Sequence, residues 1–439
     1  MLDIQFIRDN PQVVTEKARQ KGYNVNVDRI LALDKELRER IPLLDSLYHD
    51  RNEWASKFKT NKPTNEEVET GRKLKEKIQE IAQGNGIYEQ DIDEVKKEYD
   101  TLLRSVPNMP VDDVPVGHSE ADNIVTKQVG EPKAYGFTPK NHWELTSIQD
   151  LIDKPRAAKV AGSRFVYLKG DLVTMQFALV QLVMNRLSDS ALIQQLIKDN
   201  QLNLSAKPFI PVLPPAIVNT KAYLVTTRLD AQETTYKLSD DEMWLNASAE
   251  HSLCNMYIDE ILKLEDLPIR YLGYATSFRR EAGSYGKDTE GIIRMHQFDK
   301  LEMEVFCTPE SGLEEHKLLI AIEEYLMNLL QLPYRVLLKC TADIGKPNAR
   351  GIDIEVWFPG QGKYRETHSA DYMTDYQARS LRTRFRRSDK NVDLVHTNDA
   401  TALAFPRLTA AIIENYQTED GHIIIPEVLR EFMGGRDEI

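Results

Sequence analysis

Cysteine is scarce: Cys254, Cys307 and Cys340 are the only three in 439 residues, and they lie far apart. With no CxxC and no Cys/His spacing, neither a disulfide framework nor a zinc site is expected, and a reducing compartment fits. Long apolar runs are missing as well. Nothing approaches the roughly 20 residues needed to cross a bilayer, and the opening MLDIQFIRDNPQ breaks its apolar positions with acidic and polar ones. The chain therefore reads as soluble, untargeted, cytoplasmic and without a membrane partner. Positive charge is in deficit: 56 Lys and Arg face 69 Asp and Glu, a formal net charge of -13. That excludes broad, sequence-blind adhesion to nucleic acid but leaves room for local basic surfaces. One such stretch is ARSLRTRFRRSDK at 378–390, which on charge patterning reads equally as a solvated face with ordinary ion pairs. Internal repeats and low-complexity segments are absent. A hydrophobic share of 41% is ordinary for a globular chain of two or three domains.

What is present first is a seam. Ile30, Leu33, Leu37, Leu44, Leu47, Trp54 and Phe58 follow the alternating three-and-four spacing of a coiled coil, with Arg40 and Arg51 in the missing positions. After the polar break KTNKPTNEE at 59–67 a second seam follows at Leu74, Ile78, Ile81, Tyr88, Ile92, Val95, Tyr99 and Leu102. The spacing predicts an antiparallel helical hairpin, an arm on the order of 50 Å long at about 1.5 Å per residue. Pro42 predicts a kink in the first helix, and Gly84-Asn85-Gly86 a weak point in the second. By itself such an arm reads as a hairpin that packs on the rest of the protein or dimerises. The proline-rich SVPNMPVDDVPVG at 105–117 reads as a linker.

Beyond it, helical stretches such as DLVTMQFALVQLVMNRLSD (171–189) alternate with extended ones: FIPVLPP (209–215), YLGYATSFRRE (271–281), IIRMHQFDKLEMEVF (292–306) and IDIEVWF (352–358). The fold class is α+β, with a mainly antiparallel sheet flanked by helices. Alternation across the 271–306 hairpin puts Leu272, Tyr274 and Phe278 opposite Arg279 and Glu281. It likewise puts Ile293, Met295, Leu301, Met303 and Val305 opposite Arg294, His296, Phe298, Lys300 and Glu302. The loop between the strands carries Gly283, Gly286 and Gly291, which permit close approach to a ligand. Two readings stand on spacing alone: a nucleotide site, since paired arginines suit phosphates and a ring suits a purine, or an amphipathic hairpin facing solvent.

Resemblance separates them. FRREAGSYGKDTEGIIRMHQFDKLEME is similar to motif 2 of class II aminoacyl-tRNA synthetases, in the form found in seryl-tRNA synthetases. PVLPPAIV at 211–218 resembles motif 1, RLTAAIIENYQTEDGHIIIPEVLR at 407–430 resembles motif 3 with its tail, and the arm resembles the one that grips the long variable arm of serine tRNA. The resemblance covers essentially the whole chain and implies a tRNA-binding domain at 1–110 and a class II catalytic domain at 111–439, with motif 1 near 209–218, motif 2 at 271–306 and motif 3 at 399–417. It implies that Arg279 holds the ATP α-phosphate and the serine carboxylate, Glu281 lies near the adenine amino group and Phe298 stacks on adenine. Arg294 would face the terminal phosphates, and Arg407 would stack on the other adenine face. For serine, LNASAEHS at 245–252 resembles the family's TxE loop: Glu250 matches the carboxylate that takes the ammonium group, and Ser248 replaces the usual threonine. Glu302 matches a second carboxylate and Thr401 the contact to the hydroxyl. YRETHS at 364–369 resembles the strand whose Glu366 and Ser369 match ligands of a divalent ion, Mg²⁺, on the phosphates.

Two departures accompany these matches. Ala370-Asp371-Tyr372 stands where CSN is usual, and NDATALAFPR where NGSGLAVGR is common. Pro406 is compatible with a helix that begins there, because the first turn needs no N–H donor. The implied activity is activation of serine with ATP and its transfer to serine tRNA, by a C2 homodimer. Whether selenocysteine tRNA is also served stays open. The alternatives are a catalytically inactive paralogue and a ligase that loads serine onto a carrier protein.

Overall fold

The computed structural model describes residues 1–57, 64–85, 89–226, 235–281 and 290–439, which form two compact units, Met1–Pro107 and Asn108–Ile439. Phe58, Gly86, Tyr88, Gly283 and Gly286 lie outside the described residues, as do the side chains of Leu47, Arg51, Trp54, Ile78 and Ile81.

The first unit is helical throughout: α1 (Ile4–Asp9), α2 (Pro11–Gln20), α3 (Val27–Lys57), α4 (Asn65–Asn85) and α5 (Glu89–Ser105). Asp3 caps α1 by accepting from the Gln5 N–H, and Pro11 opens α2, where its missing N–H costs nothing. The seam is real where it is described. Ile30, Leu33, Leu37 and Ile92 are buried, and Leu44, Val95 and Tyr99 pack on Leu37 and Ile92. Arg40 pairs with Glu36 one turn back at 2.7 Å. Helix α3 runs through Pro42 without a break. Helix α4 is described as far as Asn85 and α5 from Glu89, so the weak point expected at Gly84-Asn85-Gly86 runs outside the described residues.

The second unit begins inside the proline-rich segment. Asn108 donates from its side chain to the carbonyls of Pro347 and Met373, each at 2.8 Å, so the segment is tied down from that residue onward. At the centre is one eight-stranded sheet: β1 (Ile124–Val129), β2 (Ile210–Val212), β3 (Ile269–Phe278), β4 (Gln297–Cys307), β5 (Tyr334–Leu338), β6 (Arg350–Phe358), β7 (Lys363–Thr374) and β8 (His396–Ala404). The strand order is β1-β5-β6-β7-β8-β4-β3-β2, antiparallel at every step except β3 beside β2.

Helices of this unit include α6 (His142–Ile148), α7 (Asp171–Leu187), α8 (Glu250–Leu253), α9 (Gly312–Leu329) and α10 (Phe405–Asn415). Leu172, Met175 and Leu179 of α7, Leu318, Ile322 and Leu326 of α9, and Leu408 and Ile412 of α10 share one core with Leu301, Met303 and Val305 of β4. Buried apolar surface of this extent, at roughly 25 cal/mol per Å², is what drives the unit together. Among the described residues no helix is long and apolar enough to cross a membrane.

The basic stretch at 378–390 follows its plainer reading. Arg379 pairs with Asp375 at 2.7 Å, Arg382 with Asp259, and Arg387 with Asp393 and Glu310.

Candidate active site

Alternation along strands decides which side chains can meet, and two bulges set that alternation here. In β7, Thr367 is an extra residue against β6: Ser369 faces Asp353, His368 faces Ile354, and Glu366, not Thr367, faces Glu355. Residues three apart on a regular strand point to opposite faces, whereas the bulge brings Glu366 and Ser369 to the same one. Ala402 does the same in β8, where Thr401 lies opposite Glu302 and Ala404 opposite Lys300. The register then lines up Glu304, Asp399 and Asp371 in a row across three neighbouring strands.

Gly273 completes the arrangement. It lies opposite Glu302, and a Cβ there would come within 2.6 Å of the Leu253 side chain and 3.2 Å of Ala249. Its bare backbone lets α8 ride directly over β3. That close approach delivers Glu250, the first residue of α8, to Glu302 and Asp399, and one carboxylate oxygen from each of the three lies within 4.8 Å of the other two.

Above this face is a cavity of about 220 Å³. It is lined by Glu250, Arg279, Glu281, Arg294, Phe298, Glu302, Glu366, Ser369, Thr401 and Arg407, so the structure gathers ten of the eleven residues singled out from sequence. Ser248 does not line it. Its hydroxyl instead reaches the Glu250 carboxylate at 3.4 Å and accepts from Lys300 at 3.3 Å, joining two residues that do.

Ile293 and Met295 also line the cavity, against the expectation that they face away. Strand β4 starts only at Gln297, so strand alternation does not extend back to them. Sequence reasoning gave no role to Lys300, Thr367, Asp371 or Asp399, all of which line the cavity. The i,i+2 spacings Lys300–Glu302 and Asp399–Thr401 were the available signal.

Each cation is held by a specific partner. The Arg279 guanidinium lies over the Phe298 ring at 5.2 Å and donates to the Ala247 carbonyl at 3.1 Å. Arg294 pairs with Glu281 at 2.5 Å, and Lys300 with Glu302. Arg407 pairs with Glu366 at 2.7 Å. It sits in the first turn of α10 directly after Pro406, whose fixed backbone angle suits that position. Burial pushes the Glu366 carboxyl up, but Arg407 and Lys339 outweigh it and the net displacement is downward. Nearby Asp353 goes the other way: burial, opposed by Lys339, takes its carboxyl up to about 7.

Three fixed guanidiniums around a small cavity suit a polyanion, and a ring under one of them suits a planar base. In the same lining, the convergent carboxylates suit an ammonium group. Glu366 and Ser369 offer a divalent ion two hard oxygens on one face, a set completed only by oxygens of a bound phosphate.

Known proteins share this architecture. The family described as Seryl-tRNA synthetase N-terminal domain matches residues 1–110, and the tRNA synthetase class II core domain (G, H, P, S and T) matches residues 234–416. The Serine–tRNA ligase of Thermodesulfovibrio yellowstonii is 38% identical over 99% of each chain. A crystal structure of seryl-tRNA synthetase from Pyrococcus horikoshii complexed with ATP is 37% identical with a TM-score of 0.84, covering 100% of this chain and 99% of that one. A cytoplasmic serine–tRNA ligase from Naegleria fowleri in complex with AMP is 27% identical with a TM-score of 0.82, covering 100% and 98%.

Proposed function

The chain belongs to the seryl-tRNA synthetase family and is a serine–tRNA ligase, and from that premise we propose that the cavity above β4, β7 and β8 is where serine is activated by ATP. The observation that carries this reading is one cavity lined both by three guanidiniums and by the Glu250, Glu302 and Thr401 group.

Glu250 receives the serine ammonium group, and Thr401 meets the hydroxyl. Glu302, steadied by Lys300, gives the pocket its second carboxylate. The adenine ring lies between Phe298 and Arg407, with Glu281 beside its amino group. Arg279 bridges the serine carboxylate and the α-phosphate, which holds nucleophile and electrophile in line. A carboxylate oxygen of serine forms the new bond to the α-phosphorus, and the bond to the bridging oxygen breaks with its electron pair leaving on pyrophosphate. Arg294 and Arg407 meet the negative charge that builds there, so catalysis is positioning and charge stabilisation, with no side chain acting as nucleophile. The terminal ribose hydroxyl of tRNA then attacks the seryl carbonyl and AMP departs.

Glu366 and Ser369 would hold a divalent ion, Mg²⁺, together with the phosphates. Bound there, it neutralises phosphate charge and draws electron density from the α-phosphorus.

The domain at 1–110 binds the tRNA and 111–439 carries motifs 1, 2 and 3. A C2 homodimer forms through the 209–218 segment, a reading supported by the exposure of Ile210 and Leu213 there and of Leu224 close by. The working compartment is the cytoplasm. The test is ATP–pyrophosphate exchange with each of the twenty amino acids, followed by charging of unfractionated tRNA. Exchange driven only by serine, with charging of serine tRNA, is expected; exchange driven equally by another amino acid would overturn the pocket assignment.

A further inference from the structure

Arg294 and Arg407 come from parts of the chain more than a hundred residues apart, and Arg294 lies on no regular element. Its segment, 290–296, precedes β4, and strand-type pairing reaches only its last residue, where the Arg279 N–H donates to the His296 carbonyl at 2.9 Å. Two further backbone contacts hold it. The Ile292 N–H donates to His142 Nε2 at 3.3 Å, and the His296 N–H donates to the Arg164 carbonyl at 3.1 Å, with Arg294 midway between.

His142 is itself fully buried and fixed from the other side. Its Nδ1 is 2.7 Å from Glu414 Oε1, and its own backbone N–H reaches the same oxygen at 3.2 Å. Glu414 also accepts from the Gly360 N–H at 3.0 Å and from Gln361 Nε2 at 3.1 Å. A carboxylate that only accepts requires the proton on Nδ1, which leaves Nε2 with the lone pair that Ile292 needs. The contact is close-fitting: at Gly291, φ is +70° and a Cβ would lie 1.9 Å from His142 Nε2. Glu414 stands on α10, two turns beyond Arg407.

We propose that His142 is a positioning residue for serine activation, tying the backbone beside Arg294 to the helix that carries Arg407 so that the two guanidiniums keep a fixed separation across the cavity. This rests on the reading of both arginines as ATP contacts.

The experiment compares two replacements by serine-dependent pyrophosphate exchange. The amide of His142→Gln reaches the place of Nε2 and keeps an acceptor for Ile292 while the backbone N–H of residue 142 still reaches Glu414, whereas the amide of His142→Asn reaches only the place of Nδ1 and Glu414, which breaks the link to Ile292. His142→Asn is expected to lower kcat/KM for ATP by about tenfold or more, and His142→Gln by less than about threefold. Combined with Arg294→Ala, His142→Asn should add nothing, since residues that act as a unit are non-additive. Equal losses in the two variants, no loss in either, or full additivity with Arg294→Ala would overturn the assignment. If neither His142 variant folds, Gly291→Ala carries the test. It displaces the segment while leaving His142 and Glu414 in place, and full activity there would overturn the proposal. Arg294→Ala with unimpaired exchange would overturn the reading of the site as well, which an additive double mutant would not.

Discussion

The two units place their charges differently. In the first, most described ion pairs lie on the outside of helices: Arg29 and Glu98 pair at 2.7 Å with 46% and 44% of their side chains exposed, and the buried exception is Asp34, paired with Arg8. The second has exposed pairs too, but it also carries charge inside. Arg270 and Glu315 pair at 2.8 Å with side chains 0% and 1% exposed, and Glu302, Asp399 and Glu323 are buried as well. An exposed pair is screened by water and contributes little, whereas buried charge is costly unless something answers it. At the cavity, Lys300 answers Glu302, and on the proposed reading the serine ammonium group answers Glu250. The arm therefore offers a surface, and the second unit a preorganised field.

Removing the arm is the most drastic way to test that contrast. Deleting residues 1–107 should abolish tRNA charging while serine-dependent pyrophosphate exchange stays within about twofold of the full chain, since no described cavity-lining residue comes from that unit. Unchanged charging would dissolve the division of labour. Next in size is the choice of substrate. A pocket built to hydrogen-bond a hydroxyl rejects the analogue lacking it by roughly 10⁴-fold, so alanine should support almost no exchange. Alanine activated within about tenfold of serine would mean that Thr401 reads nothing. Glu302→Gln should impair serine use far more than ATP binding.

How much of this was legible in the sequence depends on how local the cause is. The arm was legible because a seam repeats within a few residues and needs no partner to be recognised. The β3–β4 hairpin was legible only to the end of the strand: alternation carried past Gln297 misplaced Ile293 and Met295. Bulges are invisible to alternation. Counting by twos puts Glu366 and Ser369 on opposite faces, and resemblance alone brought them together. The meeting of Glu250 with Glu302 depends on the missing side chain of Gly273, which is an event between elements and leaves no periodic trace.

Smaller effects sharpen the comparison. Arg407→Ala should slow seryl-adenylate formation by about 10²-fold or more, because one preorganised charged donor contributes on the order of 3 kcal/mol. Rapid-quench kinetics read this out, with circular dichroism and sedimentation as controls; equal rates would mean that Arg407 points elsewhere.

Glu323 of α9 tests a buried carboxyl that burial keeps neutral. Neither of its oxygens has a hydrogen-bond partner among the described residues, and burial, with Asp353, Glu302 and Asp371 nearby, raises it well above the ordinary range. The folded state therefore keeps a proton that the unfolded chain releases above about pH 4.5, so the wild type loses stability as pH rises from there toward the raised folded value. Glu323→Met should raise stability by about 2 kcal/mol near neutrality, with a gap that widens as pH increases across that window. Denaturant melts at pH 5 and pH 8 would check it, and a gap that narrows with pH would refute the account. At the low end, Arg29→Ala should leave the melting temperature of the arm unchanged within error, as befits an exposed pair.

The surplus residue at Thr367 also bears on how this strand tolerates change in length. Loops accept insertions and deletions because nothing downstream depends on their count. Here the count is what matters. Losing Thr367 would leave Glu366 and Ser369 two apart on a regular strand, still on one face and still opposite Glu355 and Asp353. Losing Ala370 from the regular stretch beside it would leave every loop intact, yet one end of the strand would turn over relative to the other. Either Glu366 and Ser369 would exchange the cavity for the core, or Asp371 would. Substitutions along β7 can be judged one side chain at a time; a one-codon deletion outside the bulge would be read by the fold as a change of phase, and one inside it would not.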